Sequence, residues 1–186
     1  MEHVPAEQIF TVRAFAGELP VECFLSARVF QADLSQLRPA FSEDHVHACY
    51  ELLLCRKGGG YQFIGGTAHA YADESVFVLA PFVTHAHIGN PDAPELRCSI
   101  RFILPEGAAL SGRCEPALSA ALERLRRETY AFFPANDQII ALANLLTEAV
   151  CAPESSALLV LGGLLSALFS SVFAELAGVS SGRDTP

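Results

Sequence analysis

The feature that most constrains the fold is a change of texture at Pro105. Between about Phe10 and Leu104, turn-forming residues cut the chain into short apolar or alternating runs, the pattern of antiparallel strands on tight connections. Those runs are Val21 to Gln31, His45 to Arg56, Tyr61 to Ile64, Thr67 to Tyr71, Ser75 to Leu79, His85 to Ile88 and Leu96 to Leu104. The sharpest local signal is Gly65-Gly66 between two alternating runs, where the positive φ angles of a tight hairpin are available. Gly58-Gly59-Gly60 marks a further turn. So many short strands on such short connections predict a closed or nearly closed barrel.

After Pro105 the period becomes helical. Leu118, Ala121, Leu122 and Leu125 share one face of a helix predicted over Pro116 to Tyr130, with Glu123, Arg124, Arg126 and Arg127 as its solvated side. A second helix is expected from Asp137 to Cys151, with Ile139, Leu142, Ala143, Leu146 and Val150 on one face. A third runs from about Ser155 to Ala177, where Gly178 is placed to end it. Between Ala157 and Leu176 the only charge is Glu175, so this helix must hide more than one face. Its serines, Gly162-Gly163 and lack of basic flanks favour burial on its own domain and in a dimer interface over a membrane span. The fold class is therefore α+β, with a β part over 1–104, a helical part of the same domain over 105–179, and a linker or frayed tail over 180–186.

Composition narrows the function. A net charge of -9 argues against this segment gripping nucleic acid, which needs a concentrated cationic surface. Cys23, Cys49, Cys55, Cys98, Cys114 and Cys151 form no CxxC pair, and residues 1–10 lack the basic and apolar run of an export signal. A cytoplasmic protein with reduced thiols is expected.

The chemistry concentrates in His45-Val-His47-Ala-Cys49-Tyr-Glu51. On a strand, His45, His47, Cys49 and Glu51 point the same way. Such a face suits a metal site or the polar patch of a small-molecule pocket, and the pattern leaves both open. With His85 as a fourth donor, three imidazoles and a carboxylate suit zinc, nickel, iron or manganese. Alternatively the same side chains line a polar pocket without any metal. Inward parity adds Leu53, Tyr61 and Phe63 as pocket walls, with Arg28, Arg97 and Arg101 as counter-charges for a bound carboxylate. Cys49 is a ligand, a redox-sensitive thiol or apolar filler; His87 shares the parity of His85; His69 reads as a surface residue.

The spacing from His45 through His47 and Glu51 to Gly58 resembles the first motif of the cupin superfamily: a histidine, one residue, a histidine, three or four residues, a glutamate, six residues and a glycine. The stretch Ala80-Pro81-Phe82-Val83-Thr84-His85 resembles the second motif in part, with the proline displaced by one position and Phe82 where glycine is usual. The wider run, from Tyr50-Glu51-Leu52-Leu53 through both glycine turns to Val78-Leu79-Ala80-Pro81 and His85, looks like the amino-terminal sensor domain of AraC-type transcription regulators. That resemblance implies a cupin-like barrel holding a small-molecule effector, a homodimer through the C-terminal helices, and DNA contact only through helix-turn-helix units beyond this sequence. It requires no cofactor and leaves a divalent metal optional. The competing expectation is a single-domain metal-dependent cupin enzyme of dioxygenase or isomerase type, with His45, His47, Glu51 and His85 as metal ligands.

Overall fold

The structure is a computed structural model that describes residues 9–26, 41–92, 95–105, 116–151 and 157–178. The β part runs through β1 (Ile9–Ala16), β2 (Leu19–Ser26), β3 (Phe41–His45), β4 (Tyr50–Lys57), β5 (Gly60–Ile64), β6 (Thr67–Tyr71), β7 (Ser75–Leu79), β8 (His85–Gly89) and β9 (Leu96–Ile103). It is followed by α1 (Pro116–Glu128), β10 (Tyr130–Pro134), α2 (Asp137–Cys151) and α3 (Ala157–Leu176). The strands form a six-stranded sheet in the order β1-β2-β9-β4-β7-β10 and a four-stranded sheet in the order β3-β8-β5-β6. Every pairing between them is antiparallel.

Among the described residues the sheets are not closed into the expected barrel. From β3 to β9 the chain crosses between sheets in the connections after His45, Lys57, Tyr71, Leu79 and Gly89, instead of through strands that bend from one sheet into the other. The result is a sandwich with edges at β1, β10, β3 and β6. Gly65 and Gly66 make the expected hairpin, with φ of 55° and 82° and Ile64 paired to Thr67.

Three strands were not foreseen: β1, β10 and β3, which lies ahead of the run expected from His45 and shares only that residue with it. β1 pairs with β2 through a turn at Gly17, and β10 follows α1 directly because Thr129, at φ 64°, stops the helix before Tyr130. The Tyr-Ala-Phe-Phe-Pro run then pairs with β7, stacking Phe132 on Phe77 at 4.3 Å between centroids. The run expected from Val21 to Gln31 begins at Leu19 and is followed to Ser26; residues 27–31, Arg28 included, lie outside the described residues.

The six-stranded sheet is covered on both faces, and this explains why β4 and β7 read as unbroken apolar runs. Leu52, Leu54, Val76, Val78, Ile100 and Phe102 join the main core under the helices, while Leu53, Cys55, Phe77 and Leu79 belong to a smaller core between the sheets. Phe102 carries the helical side outward, its ring 4.8 Å from Phe169 and 6.3 Å from Phe173.

Helix α3 is long and apolar enough to cross a membrane by length and composition. Here it packs on β1, α1 and α2, burying Leu161, Leu165, Leu168, Phe169, Val172, Phe173 and Leu176. Gly162 lets it approach closely, since a Cβ there would fall 2.8 Å from the Arg13 carbonyl. One turn on, Ser166 Oγ accepts the Phe15 N–H of edge strand β1 at 2.9 Å. Its one charge is also used: Asn136, which caps α2 by accepting the Ile139 N–H, donates its amide to Glu175 at 2.5 Å. Gly178, at φ 72°, ends α3 as expected.

Candidate metal and ligand site

The histidine-rich segment is not one strand. His45 ends β3, residues 46–49 form a connection, and Glu51 is the second residue of β4, in the other sheet. Alternation along a single strand therefore does not bring the group together; the crossing between sheets does. His85 opens β8 opposite His45 in the register. Phe82 N–H, in the β7–β8 connection, donates to the His47 carbonyl at 2.7 Å and ties the histidine connection down. Phe82 itself has φ 64°, the left-handed conformation that favours glycine. The position where the sequence departs from the motif's glycine thus keeps the glycine backbone geometry.

His45, His47, Glu51 and His85 present donor atoms that lie within 4.8 Å of one another. The imidazole centroids are 4.9 Å (His45–His47), 4.2 Å (His45–His85) and 5.3 Å (His47–His85) apart. Backbone carbonyls fix two of the rings: His45 Nδ1 donates to Glu43 O at 2.7 Å and His85 Nδ1 to Val83 O at 2.9 Å. That leaves each Nε2 lone pair for the cluster, the arrangement that orients histidine ligands in metal sites. Ser99 Oγ donates to Glu51 Oε1 at 2.5 Å and occupies the other carboxylate oxygen.

One detail tests whether these residues suit a metal. His85 Nε2 and Glu51 Oε2 are 2.9 Å apart, yet both are buried without a geometrically sound hydrogen bond. A buried polar pair left in that state is costly, and an ion bound between them would satisfy both. The donor set fits a divalent transition metal.

Charge follows the same geometry. Burial alone would raise the Glu51 carboxyl, but His85, Ser99 and the charge of His47 hold it down to about 2. Burial works against the His85 imidazolium, and Glu51 with the Val83 carbonyl outweighs it, so His85 is raised. His47, 3.7 Å from Glu51, is lowered, by burial first and then by the neighbouring His45, His85 and Arg101.

This cluster forms one end of a cavity of about 140 Å³ between the sheets. Leu53, Phe24, Ser42, Gln62, His87, Arg97, Ser99 and Arg101 complete the lining. Of the expected pocket residues, His45, His47, Glu51, Leu53 and His85 are in it, as are Arg97 and Arg101. Tyr61 is instead 52% exposed, Phe63 is outside the lining, and Gln62 between them is 2% exposed. The parity of β5 is one residue from the expectation, which exchanges the faces of the whole strand. Cys49 is half-buried in the connection and outside the lining, with burial raising its thiol. His69 is half-buried against Tyr130 and Phe132, not on the open surface, because β10 adds cover there.

A second polar cluster was not anticipated. His87 Nε2 donates to Glu95 Oε1 at 2.5 Å, Tyr71 OH donates to Glu95 Oε2, and His87 Nδ1 pairs with Gln62 Oε1 at 3.2 Å. All four side chains are at most 8% exposed. The legible signals were His87, two residues after His85, and the alternation Arg97, Ser99, Arg101 in β9. Glu95 precedes its strand and carried no pattern.

No family model matches the sequence, and none of the curated proteins does. Solved structures do match. ToxT from Vibrio cholerae, in its apo form, aligns over 96% of this chain with a TM-score of 0.52 and 9% identity. That likeness is one of fold. The AraC-like transcriptional activator CuxR aligns over 94% of the chain (TM-score 0.45, 12% identity), and a cupin protein from Bacteroides fragilis over 58% of this chain and 85% of its own (TM-score 0.34, 16% identity). The chain spans 58% of the length of ToxT and of CuxR. The solved structures that match include both an AraC-like transcriptional activator and a salicylate 1,2-dioxygenase.

Proposed function

We propose that this domain binds a small-molecule effector and dimerises as the sensor part of an AraC-type transcription regulator in the cytoplasm, with DNA contacted by helix-turn-helix units outside these residues. One observation carries the reading: a single sheet separates the cavity from the helices. On β4, Glu51 and Leu53 face the cavity while Leu52 and Leu54 face the helical core; on β9, Arg97, Ser99 and Arg101 face the cavity while Ile100 and Phe102 face the helices. A ligand that favours one position of these strands therefore biases Phe102 and the α3 rings against it. Such coupling needs unequal binding to two arrangements, and the sheet is the physical element both sides share.

The helices supply the partner surface in this reading. Leu159 and Val160 of α3 are 89% and 54% exposed, and Leu145 of α2 is 50% exposed. Sedimentation velocity over a wide concentration range, with and without bound ligand, tests the proposal. A concentration-dependent dimer is expected; a strict monomer at all concentrations removes the support.

A second reading is favoured by the convergence of His45, His47, Glu51 and His85: a metal-dependent cupin enzyme. A divalent ion there would supply Lewis acidity toward a bound oxygen ligand, while Arg101 and Gln62 orient the rest of the molecule. Elemental analysis of protein purified without added metal separates the readings. Stoichiometric metal, lost with a catalytic activity on His47→Ala, places the enzyme first.

A further inference from the structure

The lining of the cavity specifies a class of ligand. β9 sets Arg97, Ser99 and Arg101 at alternate positions toward it, so the described lining carries two guanidinium groups against one carboxylate, Glu51. In a chain with a net charge of -9, that local excess runs against the overall balance. Arg101 stands beside Glu51 in the β4–β9 register, yet makes no hydrogen bond or ion pair with any described residue. Arg97 has one distant partner, Glu95 at 3.9 Å, whose oxygens are already held by Tyr71 and His87.

Gln62 makes an independent case. It is 2% exposed and lines the cavity; its Oε1 pairs with His87, and the other end of its amide is buried without a partner. A buried amide held in place by one arm, on a residue of the cavity wall, carries an unmet hydrogen bond that a polar group of a guest would satisfy. The volume bounds that guest. A cavity of about 150 Å³ holds a benzene-sized molecule, and the space of about 140 Å³ here suits a guest of that size.

We propose, building on the effector-pocket reading, that the cavity binds a short-chain carboxylate, its carboxylate group held by Arg101 and a second polar group met by Gln62. Arginine presents paired N–H groups that match a carboxylate in two parallel bonds. A neutral guest of the same size would leave that guanidinium unmatched in the cavity. Arg97 contributes field at the far end, four residues along β9 from Arg101.

Titration calorimetry on the full chain tests this, with malonate as probe, malonamide as its neutral counterpart and inorganic phosphate as a non-carboxylate anion, each on chelator-treated and on zinc-loaded protein. Malonate binds and raises Tm, malonamide does not, and phosphate is weaker than malonate. Arg101→Gln weakens malonate by about 10–100-fold, the loss expected for a charge-assisted pair, with zinc content unchanged; Arg101→Lys recovers part of it. Equal binding of malonamide, or an unchanged affinity in Arg101→Gln, overturns the carboxylate assignment while leaving an effector pocket standing. Tighter phosphate than malonate overturns it in favour of a general anion site. No heat with any of the probes, in either metal state, overturns it outright, whereas the effector reading is judged separately by sedimentation. The comparison of malonate with malonamide on unaltered protein keeps the test decisive if Arg101→Gln fails to fold.

Discussion

Two histidine–glutamate clusters lie side by side in the sandwich, built from the same chemistry and finished differently. In one, His87, Glu95, Tyr71 and Gln62 satisfy one another, leaving only one end of the Gln62 amide over. In the other, His85 Nε2 and Glu51 Oε2 are 2.9 Å apart and neither makes a sound bond. β8 supplies a histidine to each, His85 and His87, two residues apart on the same face. A closed network stabilises and shapes a core. An open one keeps its donors for something that arrives, so what separates structural from functional polar groups here is completeness, not composition.

The largest expected effect comes from breaking the closed cluster. Glu95→Ala strands the Tyr71 hydroxyl and the His87 imidazole in a buried site and is expected to cost about 3–5 kcal/mol in urea unfolding, the range for removing one member of a buried pair. Glu51→Gln, which keeps an acceptor for Ser99, should cost distinctly less. If the two cost the same, the distinction between closed and open clusters fails.

The open cluster should instead respond to metal. Zinc at a hundredfold excess over its Kd adds about 2.7 kcal/mol to the stability of a protein that binds it only when folded. Wild type should show a gain of that order by thermal melting, and Glu51→Gln and His85→Ala should show little. Glu95→Gln, which stays outside the donor set, should retain it.

In metal-free protein the comparison acquires a pH dependence. The Glu51 carboxyl is held at about 2, below its ordinary 4.5, so its contribution is present above that ordinary value and lost as pH falls toward 2. His85 is raised, so its contribution is complete below the ordinary 6.5 and lost as pH rises through the raised value. The stability difference between wild type and Glu51→Gln should therefore be largest between these ordinary values and shrink toward both sides. A flat difference across that range would show that the pair is not coupled in folding.

The smallest effect is at Phe82, 74% exposed and at φ 64°. Phe82→Gly relieves a left-handed backbone and should raise stability by about 1 kcal/mol in chemical denaturation while keeping the bond to His47.

Legibility varied with how local the signal was. The Gly65-Gly66 hairpin, the span of α2 and the stop at Gly178 depend on neighbours in sequence and were readable from it. β10 was hidden because Tyr130 continues the period of α1 until Thr129 turns the chain, a choice rewarded only by pairing with β7. Tyr61 and Gln62 exchanged roles because β5 alternates either way in isolation, and its parity is set by register against β6 and β8. Glu95 had no pattern at all; its importance comes from the partners that surround it.

The sequence by itself determined the order of β then α, the apolar identity of α3 and the identities of the four donors His45, His47, Glu51 and His85. Periodicity and turn chemistry are written along the chain, so they survive without a fold. Tertiary structure decided that those donors meet by crossing between sheets, that Arg101 makes no hydrogen bond or ion pair among the described residues, and that one histidine–glutamate cluster is closed while its neighbour stays open. Whether a buried polar group is satisfied depends on atoms distant in sequence, and only packing brings those atoms within reach.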